Sequence, residues 1–377
     1  MNKQIGKNIL VVFAKITAGG MERANQVLLK YLQNTGYNVT AVTLRDAHIP
    51  NACCYGGAVI SLKKNGRMDI IKPILLLSRI IVEKKPNVII SSLGCGSYIL
   101  FIAQLLGKIK VSYIFIEHSC LSQYIKTIRW PKMFNKLIRI IYSKADKIIA
   151  VSNGAKSDLI EICKISPSKI VVINNPLDSE QIKGLLSEGV DRLLFHEKKY
   201  RIITCGRLSK EKNQILLLDA FKKVLDQIDA KLIIIGDGPE REHLAQYAEK
   251  LNIMGSVCFL GYQDNPYKYI SKADLFVLSS DTESFGYAII EAMMCKIPVI
   301  STDCFCGPRE IITNGVNGIL VPVDDADAIS KAIFMLFDNR SFAMTLAEKG
   351  LKRAADFNAD IVFNDYKKII DSLCYRE

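Results

Sequence analysis

The sequence predicts an α/β protein built from two doubly wound domains that face each other across a cleft. Apolar runs of strand length alternate with helical patterns, the alternation stops once at a polar stretch and then resumes, and 377 residues suit two domains better than one. The apolar runs are continuous, as expected for parallel sheets that are covered on both faces. Ligands are therefore expected at the carboxyl ends of the strands.

The first domain is predicted to span residues 1–178. Its six strand-like runs lie at 8–14, 37–44, 87–91, 110–116, 146–152 and 169–173. Patterns of helical length and period lie between them, at 22–35, 69–85, 96–107 and 154–164. The uncharged stretch 87–107 is long enough to span a bilayer. The polar SSLGCGS in its middle favours a strand, a turn and a helix instead, so we expect no transmembrane helix.

The second domain is predicted over residues 200–358, after a linker at 179–199. Its strand-like runs lie at 200–206, 231–236, 257–261, 274–280, 298–302 and 318–322. Helical patterns at 326–338 and 341–355 follow the last strand. A final helical segment, 359–377, is expected to pack back on the first domain.

The net charge of +12 is distributed unevenly along the chain. Residues 1–178 contain 25 Lys and Arg against 9 Asp and Glu, which leaves +16, whereas residues 179–377 contain 25 against 29, which leaves −4. This asymmetry indicates that the first domain alone meets an anionic surface.

Two loops that follow predicted strands of the second domain carry residues suited to phosphate. In TCGRLSKEKNQ (204–214), Gly206 is followed by Arg207 and Lys212, two cations that can grip a diphosphate at the mouth of a strand. In GDGPER (236–241), Gly236 fits either an ordinary turn between strand and helix or a loop that contacts a ligand.

The first domain offers a related loop, AKITAGGMER (14–23). Its paired glycines, Gly19 and Gly20, stand between a strand and a helix, where a ligand can approach the backbone closely. A tight turn without a ligand is the alternative. The GxGxxG pattern is absent, so the loop does not predict a dinucleotide.

Residues 282–292, TESFGYAIIEA, place two carboxylates on either side of Gly286. A helix that begins near Ser284–Gly286 would direct its positive N-terminal end at a phosphate. Glu283 and Glu291 are not expected to bind the phosphate. Carboxylates accept hydrogen bonds, and sugar hydroxyls donate them. A phosphate in the middle with a sugar at each end describes a nucleotide sugar.

Four motifs together resemble the retaining glycosyltransferases of family 4. They are Glu-x7-Glu at 283–291, GRLSKEK at 206–212, GG-x-ER at 19–23 and GPREIITNGVNGILV at 307–321. The resemblance spans nearly the whole chain, and it implies the GT-B fold, in which two Rossmann-like domains face each other.

The resemblance also implies roles for individual residues. Glu283 would contact the donor sugar and Glu291 the ribose, while Arg207 and Lys212 would hold the diphosphate. The backbone of Phe285–Gly286 would cap the phosphates. The residues expected to bind the donor are Gly19, Gly20, Gly206, Arg207, Lys212, Gly236, Glu283, Ser284, Phe285, Gly286 and Glu291.

His118 matches the histidine that the family places near the transferred sugar, although the neighbouring Glu117 could share or take its role. With Glu283, Arg207 and Lys212, His118 forms the expected catalytic set. The implied mechanism is front-face retaining transfer, in which the leaving phosphate takes the acceptor's proton. No metal is expected, because no DxD follows a strand at the cleft and no cysteine pair or histidine has zinc-ligand spacing.

The basic excess of the first domain concentrates at 123–147. This segment holds seven Lys and Arg, one Asp and the chain's only tryptophan, Trp130, among isoleucines. The composition favours an interfacial helix on an anionic membrane over a cationic outer face on a core helix. No nucleic-acid recognition motif is present.

The expected substrates follow from the resemblance and from this membrane segment. The donor would be UDP-GalNAc or UDP-GlcNAc, and the acceptor a polyprenyl-diphosphate-linked saccharide at the cytoplasmic face of the plasma membrane. Competing hypotheses are a GT-B nucleotide-sugar epimerase, a phosphorylase, or an inactive subunit that binds nucleotide sugars.

Overall fold

The computed structural model describes residues 6–15, 19–45, 58–64, 66, 69–92, 97–107, 109–126, 131–189 and 199–374. The chain divides into two compact units, one formed by residues 1–176 with 359–377 and the other by residues 177–358. Each unit is built on one parallel β-sheet with helices, so the predicted α/β class is confirmed.

The sheet of the first unit has seven parallel strands in the order β3-β2-β1-β4-β5-β6-β7. The strands are β1 (Asn8–Phe13), β2 (Asn38–Thr43), β3 (Val59–Ser61), β4 (Val88–Ser92), β5 (Ser112–Glu117), β6 (Lys147–Ala150) and β7 (Ile170–Val172). The helices that lie between them in the chain are α1 (Gly20–Asn34), α2 (Ile71–Lys84), α3 (Ser97–Gly107), α4 (Leu121–Lys126), α5 (Pro131–Ser143) and α6 (Asn153–Cys163).

The central strands of this sheet are buried on both faces, which explains their continuous apolar sequence. Residues 9–13 of β1 and all five residues of β4 are buried. One face packs on α2, α3, α5 and α6 in a single hydrophobic core. The stretch 87–107 thus forms a strand and a helix, and no helix among the described residues is long and apolar enough to cross a bilayer.

The second unit repeats the plan with six parallel strands in the order β10-β9-β8-β11-β12-β13. The strands are β8 (Tyr200–Cys205), β9 (Ala230–Ile235), β10 (Val257–Gly261), β11 (Leu275–Leu278), β12 (Val299–Thr302) and β13 (Ile319–Val321). The helices are α7 (Ser179–Leu186), α8 (Gln214–Leu225), α9 (Arg241–Lys250), α10 (Tyr267–Ile270), α11 (Tyr287–Met294), α12 (Pro308–Ile311), α13 (Ala326–Asp338) and α14 (Arg340–Ala355).

Three sequence expectations differ from the structure. The edge strand β3 was not predicted, because it has only three residues, Val59–Ser61, and none of them is fully buried. The stretch 179–199, predicted as a linker, contains helix α7, which is capped by the Asp178 side chain at the Gln181 amide and belongs to the second unit. The segment 123–147 contains the end of α4 and the whole of α5 instead of one helix, and Trp130 lies outside the described residues.

The last helix, α15 (Ala359–Cys374), belongs to the first unit, where it packs on α1. Tyr31 of α1 stacks on Phe363 of α15 with 4.2 Å between ring centroids. At the other end of α15, the Asp371 carboxylate accepts hydrogen bonds from Lys7 at 3.0 Å and from the Tyr37 hydroxyl at 2.9 Å. One carboxylate therefore ties α15 to the start of β1 and the start of β2.

The ionised form of Asp371 is the one that holds these contacts. Burial opposes its ionisation, but hydrogen bonds from Lys367, Lys7 and Tyr37 outweigh burial and lower the pKa of Asp371 below its ordinary value of 3.8. The carboxylate thus contributes stability that is fully present above pH 3.8 and is lost as the pH falls through the lower pKa of the folded state.

We expect Asp371→Asn to lower the free energy of unfolding by about 2 kcal/mol, because it weakens charge-assisted hydrogen bonds in a half-buried site. Urea denaturation at pH 7 followed by circular dichroism measures the change. Asp365→Asn is the matched control on the same helix, since its partner Lys368 is exposed and such pairs contribute about 0–1 kcal/mol. Equal losses in the two variants would contradict this role for Asp371.

Candidate functional site

The predicted donor-binding residues of the second unit lie where the order of its strands reverses. From β8 the chain adds β9 and β10 on one side, and it then returns to add β11, β12 and β13 on the other side. The neighbours β8 and β11 therefore flank the topological switch point, where open α/β sheets bind ligands beyond the carboxyl ends of their strands. Arg207 and Lys212 follow β8, and Glu283 follows β11.

Lys212 and Glu283 meet across this switch point. The Lys212 Nζ atom donates to Glu283 Oε1 over 2.6 Å, and the Ser280 hydroxyl donates to the same oxygen over 2.8 Å. The side chains of Lys212 and Glu283 are only 24% and 10% exposed. Partial burial strengthens the attraction between the two charges, because less water screens it.

The backbone holds Lys212 in this place. Residues 210–212 form a 3₁₀ turn, in which the Glu211 carbonyl accepts from the Asp281 amide at 2.9 Å and the Lys212 carbonyl accepts from the Ser279 hydroxyl at 3.1 Å. The loops that follow β8 and β11 are thus joined by these two hydrogen bonds, by the ion pair and by a hydrogen bond from the Asn213 side-chain amide to Asp281 at 2.7 Å. The cation and the carboxylate keep their relative position without a ligand.

Arg207 stands apart from this pair. Its side chain is exposed and makes no hydrogen bond or ion pair with any residue in the described ranges, while its carbonyl accepts from the Gln214 side-chain amide at 3.1 Å. The structure therefore brings Lys212 and Glu283 together and leaves the Arg207 guanidinium, in the same loop as Lys212, open to solvent.

Gly236 is explained by the packing of two loops. Gly236 has φ +134°, and a Cβ built on it would lie 1.9 Å from the Gly206 carbonyl oxygen. A side chain at residue 236 is therefore excluded by backbone. The observed contact is between the loops after β8 and β9, so Gly236 first of all permits this packing. A Cβ on Gly206 would meet no atom of the described residues within 4 Å, and a ligand contact at either glycine remains a prediction.

The turn before α11 is fixed in the same way. Gly286 has φ +91° and precedes the first helical residue, Tyr287, as predicted. A Cβ on Gly307 would lie 2.4 Å from the Phe285 carbonyl oxygen, and the Phe285 ring is buried against Phe357 with 5.4 Å between centroids. Since the Phe285 side chain faces the core, only the backbone of this turn, with Ser284, can meet a ligand.

Glu291 lies within α11 and is buried, at 4% exposure. The Tyr267 hydroxyl donates to Glu291 Oε1 over 2.6 Å. The start of α10 is fixed by Asn265, whose side-chain oxygen accepts from the Tyr267 amide at 3.1 Å. The second predicted carboxylate thus has its own positioning group and does not contact Lys212.

In the first unit, α1 begins at Gly20 with Gly19 as its N-cap. A Cβ on Gly19 would lie 2.3 Å from the Glu22 Oε2 atom, so the carboxylate of Glu22 folds back over the backbone of Gly19. This arrangement places a negative charge at the positive end of the helix, which is favourable without any ligand. Residues 16–18 of the same loop lie outside the described residues.

His118 follows β5 in the first unit. Both ring nitrogens are buried, and neither forms a hydrogen bond with a group in the described part of the chain. Burial lowers the pKa of His118 to about 4, against a smaller opposing effect of the neighbouring Asn175 side chain. The imidazole is therefore neutral at pH 7, and a neutral ring offers one donor and one acceptor nitrogen.

The contacts of Glu117 do not favour it as a ligand-binding residue. Its carboxylate accepts a hydrogen bond from the Tyr142 hydroxyl at 2.5 Å, and it also accepts from the amide and the hydroxyl of Ser119. Burial raises the pKa of Glu117, although the hydrogen bonds from Ser119 and Tyr142 lower it in part. Since Glu117 braces the turn after β5 from inside the core, His118 is the better candidate for a ligand contact.

The sequence prediction missed the groups that position the carboxylates, above all Ser280 and Tyr267. Ser280 follows β11 within the predicted site, so its place in the sequence was a usable signal. Tyr267 precedes Glu291 by 24 residues in a four-residue helix, and no local pattern connects the two. Within the described residues, no three His, Cys, Asp or Glu side chains group as a metal site.

Two family models match the chain, one on each half. Residues 18–181 match the model described as Glycosyltransferase Family 4, and residues 189–353 match the model described as Glycosyl transferases group 1. The predicted site residues of the second unit all lie inside the second match, and His118, Gly19 and Gly20 lie inside the first.

Known proteins resemble the chain in sequence and in fold. A Campylobacter jejuni protein, N-acetylgalactosamine-N,N'-diacetylbacillosaminyl-diphospho-undecaprenol 4-alpha-N-acetylgalactosaminyltransferase, is 30% identical over 73% of each chain. The amylovoran biosynthesis glycosyltransferase AmsD of Erwinia amylovora is 22% identical over 97% of this chain and 99% of its own.

Among solved structures, Anabaena Alr3699/HepE in complex with UDP-glucose matches with a TM-score of 0.83 over 97% of this chain and 99% of that chain, at 19% identity. This likeness is one of fold. Taken with the family models and the Campylobacter relative, it shows that the chain belongs to the glycosyltransferases of family 4 and has the GT-B fold.

Proposed function

We propose that this glycosyltransferase transfers a hexose or an N-acetylhexosamine from a UDP-sugar to a polyprenyl-diphosphate-linked saccharide, with retention of anomeric configuration. The observation that carries the proposal is the pair of Lys212 and Glu283 at the switch point of the second sheet. A cation for a phosphate and a carboxylate for a sugar hydroxyl stand side by side there, as the junction between diphosphate and sugar requires.

The donor would extend from this pair in both directions. Lys212 and the open guanidinium of Arg207 would bind the diphosphate, and the backbone of Phe285–Gly286 at the start of α11 would add its positive helix end. Glu283 would accept hydrogen bonds from the donor sugar. Glu291, oriented by Tyr267, would accept them from the ribose.

The transfer step exchanges one bond for another on the same face of the sugar. The bond from the anomeric carbon to the β-phosphate oxygen breaks, and a bond forms to the acceptor hydroxyl oxygen. The hydroxyl proton passes to the departing phosphate oxygen, so that UDP leaves. Lys212 and Arg207 would stabilise the negative charge that grows on this oxygen, which is the contribution the protein makes to the transition state.

These two cations are also the reason that we propose transfer without a metal ion. The charge that a divalent cation would neutralise on the diphosphate is met by Lys212 and Arg207. Adding EDTA tests this proposal. A metal-independent enzyme keeps its turnover, whereas a metal-dependent one loses turnover and regains it with Mg²⁺ or Mn²⁺.

The substrates of relatives support the donor and acceptor classes. The Campylobacter relative is named as an N-acetylgalactosaminyltransferase acting on an undecaprenyl-diphospho saccharide, and the Anabaena structure contains UDP-glucose. By analogy we propose UDP-GalNAc or UDP-GlcNAc as donor. The basic residues of 123–147 support an acceptor met at the cytoplasmic face of an anionic membrane, with no nucleic-acid partner.

We expect the protein to release UDP from UDP-GalNAc or UDP-GlcNAc only when a polyprenyl-diphospho saccharide is present. Nuclear magnetic resonance of the product measures the anomeric configuration, which should equal that of the donor. Conversion of the nucleotide sugar without an acceptor would indicate an epimerase, dependence on inorganic phosphate a phosphorylase, and donor binding without any turnover an inactive subunit.

We expect Lys212→Ala to lower kcat by about 10²–10³, because it removes one group that stabilises the departing phosphate. Arg207→Ala and Glu283→Gln should also reduce turnover strongly. Initial rates of UDP release, with thermal unfolding to verify folding, measure the effects.

Lys210→Ala is the matched control for these variants, since Lys210 is an exposed lysine of the same 3₁₀ turn. It should keep nearly the rate of the unmodified protein. Folded Lys212→Ala and Glu283→Gln proteins with unchanged rates would refute the placement of the donor.

A further expectation concerns His118, which should act as a neutral hydrogen-bonding group. Because its pKa is about 4, kcat/KM should show no change due to its protonation between pH 5 and 8. His118→Phe should lower kcat/KM about tenfold at every pH in this range, as loss of one hydrogen bond to the sugar predicts. A titration near pH 6.5 that the variant abolishes would show that His118 works as a cation instead.

A further inference from the structure

The first unit covers one face of its sheet with a layer that includes α2, α3 and α5. The inward sides of these helices share one hydrophobic core with the strands, and α3 contacts both of the other helices. Their outward sides are therefore neighbours. We refer to this outward surface as the α2–α3–α5 face.

Large apolar side chains stand exposed on α2 and α3. Ile71 is 71% exposed, and Leu105 and Leu106 are 59% and 54% exposed. The two helices meet where this apolar surface is continuous, since a Cβ on Gly107 would lie 3.6 Å from the Val82 Cγ2 atom, and Val82 is itself exposed. Soluble surfaces rarely gather exposed aliphatic side chains in this way without a partner.

Helix α5 continues the same pattern. Met133, Leu137 and Ile140 recur at spacings of four and three residues, and all three are exposed, Met133 at 64%. Ile138 and Ile141 of the same helix are buried in the core. The apolar surface of α5 therefore continues beyond its buried part onto exposed positions, which a core helix does not require.

Cations surround the exposed apolar side chains. The exposed basic residues on the three helices are Lys72, Arg79, Lys132, Lys136 and Arg139. Helix α3 has no charged residue, and the one carboxylate in the three helices, Glu83, pairs with Lys84 at 2.7 Å. The face thus combines apolar side chains with a nearly uncompensated positive charge.

We infer that the α2–α3–α5 face docks on an anionic lipid bilayer, with the aliphatic side chains of α2 and α3 inserted below the headgroups and the cations of α2 and α5 among them. The inference deepens the proposed function and rests on its lipid-linked acceptor. It differs from attachment through 123–147 alone, because helices α2 and α3, outside that segment, provide the apolar insertion.

An anionic bilayer suits the α2–α3–α5 face because it offers charged contacts at its surface and apolar contacts below. Anionic headgroups form the outer layer, where they attract lysine and arginine, and hydrocarbon lies directly beneath. The long side chains of Lys136 and Arg139 can keep their charges among the headgroups while their methylene groups lie along the apolar surface. Nucleic acid would satisfy the cations and leave the leucines in water.

Cosedimentation with phosphatidylcholine vesicles, with and without 30 mol% phosphatidylglycerol, tests the inference. We expect binding to the anionic vesicles, at least tenfold weaker binding for the Leu105→Ser/Leu106→Ser variant, and a comparable loss for Lys136→Gln/Arg139→Gln. Added salt should weaken the binding. Met344→Ser, which changes a residue 64% exposed on α14 of the second unit, is the matched control and should bind normally.

The proposed function is tested separately, by measuring UDP release with a detergent-solubilised acceptor. Its failure can therefore be distinguished from failure of the inference. Full vesicle binding by folded Leu105→Ser/Leu106→Ser protein would overturn insertion by α3. Absence of binding by the unmodified protein, or equal binding to neutral vesicles, would overturn the anionic bilayer as partner. Self-association in solution that the same variant abolishes, without vesicle binding, would show an interface between protein molecules instead.

Discussion

The candidate site depends on a charge pair held at the point where a parallel sheet reverses its order. Lys212 and Glu283 come from loops after the neighbouring strands β8 and β11, so the topology alone brings them within reach. Each charge is partly buried, and an unpaired charge there would be costly. The pair therefore balances the two charges while no ligand is bound, and in the proposed function a diphosphate at Lys212 would replace the carboxylate, which would then accept from sugar hydroxyls.

Glycine residues allow the loops around the candidate site to pack backbone against backbone. At Gly236 and at Gly307 a Cβ would overlap a carbonyl oxygen of the neighbouring loop, Gly206 in one case and Phe285 in the other. The loops after β8 and β9, and the turn before α11 with the segment that enters α12, are therefore packed without side chains between them. The site is preorganised at the level of the backbone, so little ordering is required when a ligand binds.

Most of this architecture could be predicted because it follows from local patterns. Continuous apolar runs indicate buried parallel strands, and the residues that follow those strands are brought to one edge of the sheet whatever the rest of the chain does. Edge strand β3 is only three residues long and gave no signal. The bond from Tyr267 to Glu291 joins two separate helices, α10 and α11, so only the tertiary structure reveals it.

Glu117 and His118, adjacent residues at the end of β5, are both buried but differ in their hydrogen-bond partners. Glu117 and His118 alternate in direction along the strand end, as consecutive residues of a strand do. One carboxylate faces inward, where Tyr142 and Ser119 satisfy it and fix the turn. The next side chain is left with two buried nitrogens that the described protein groups do not satisfy. Since a buried polar group without a partner is costly, we propose that a hydroxyl of the transferred sugar supplies the missing hydrogen bond at His118.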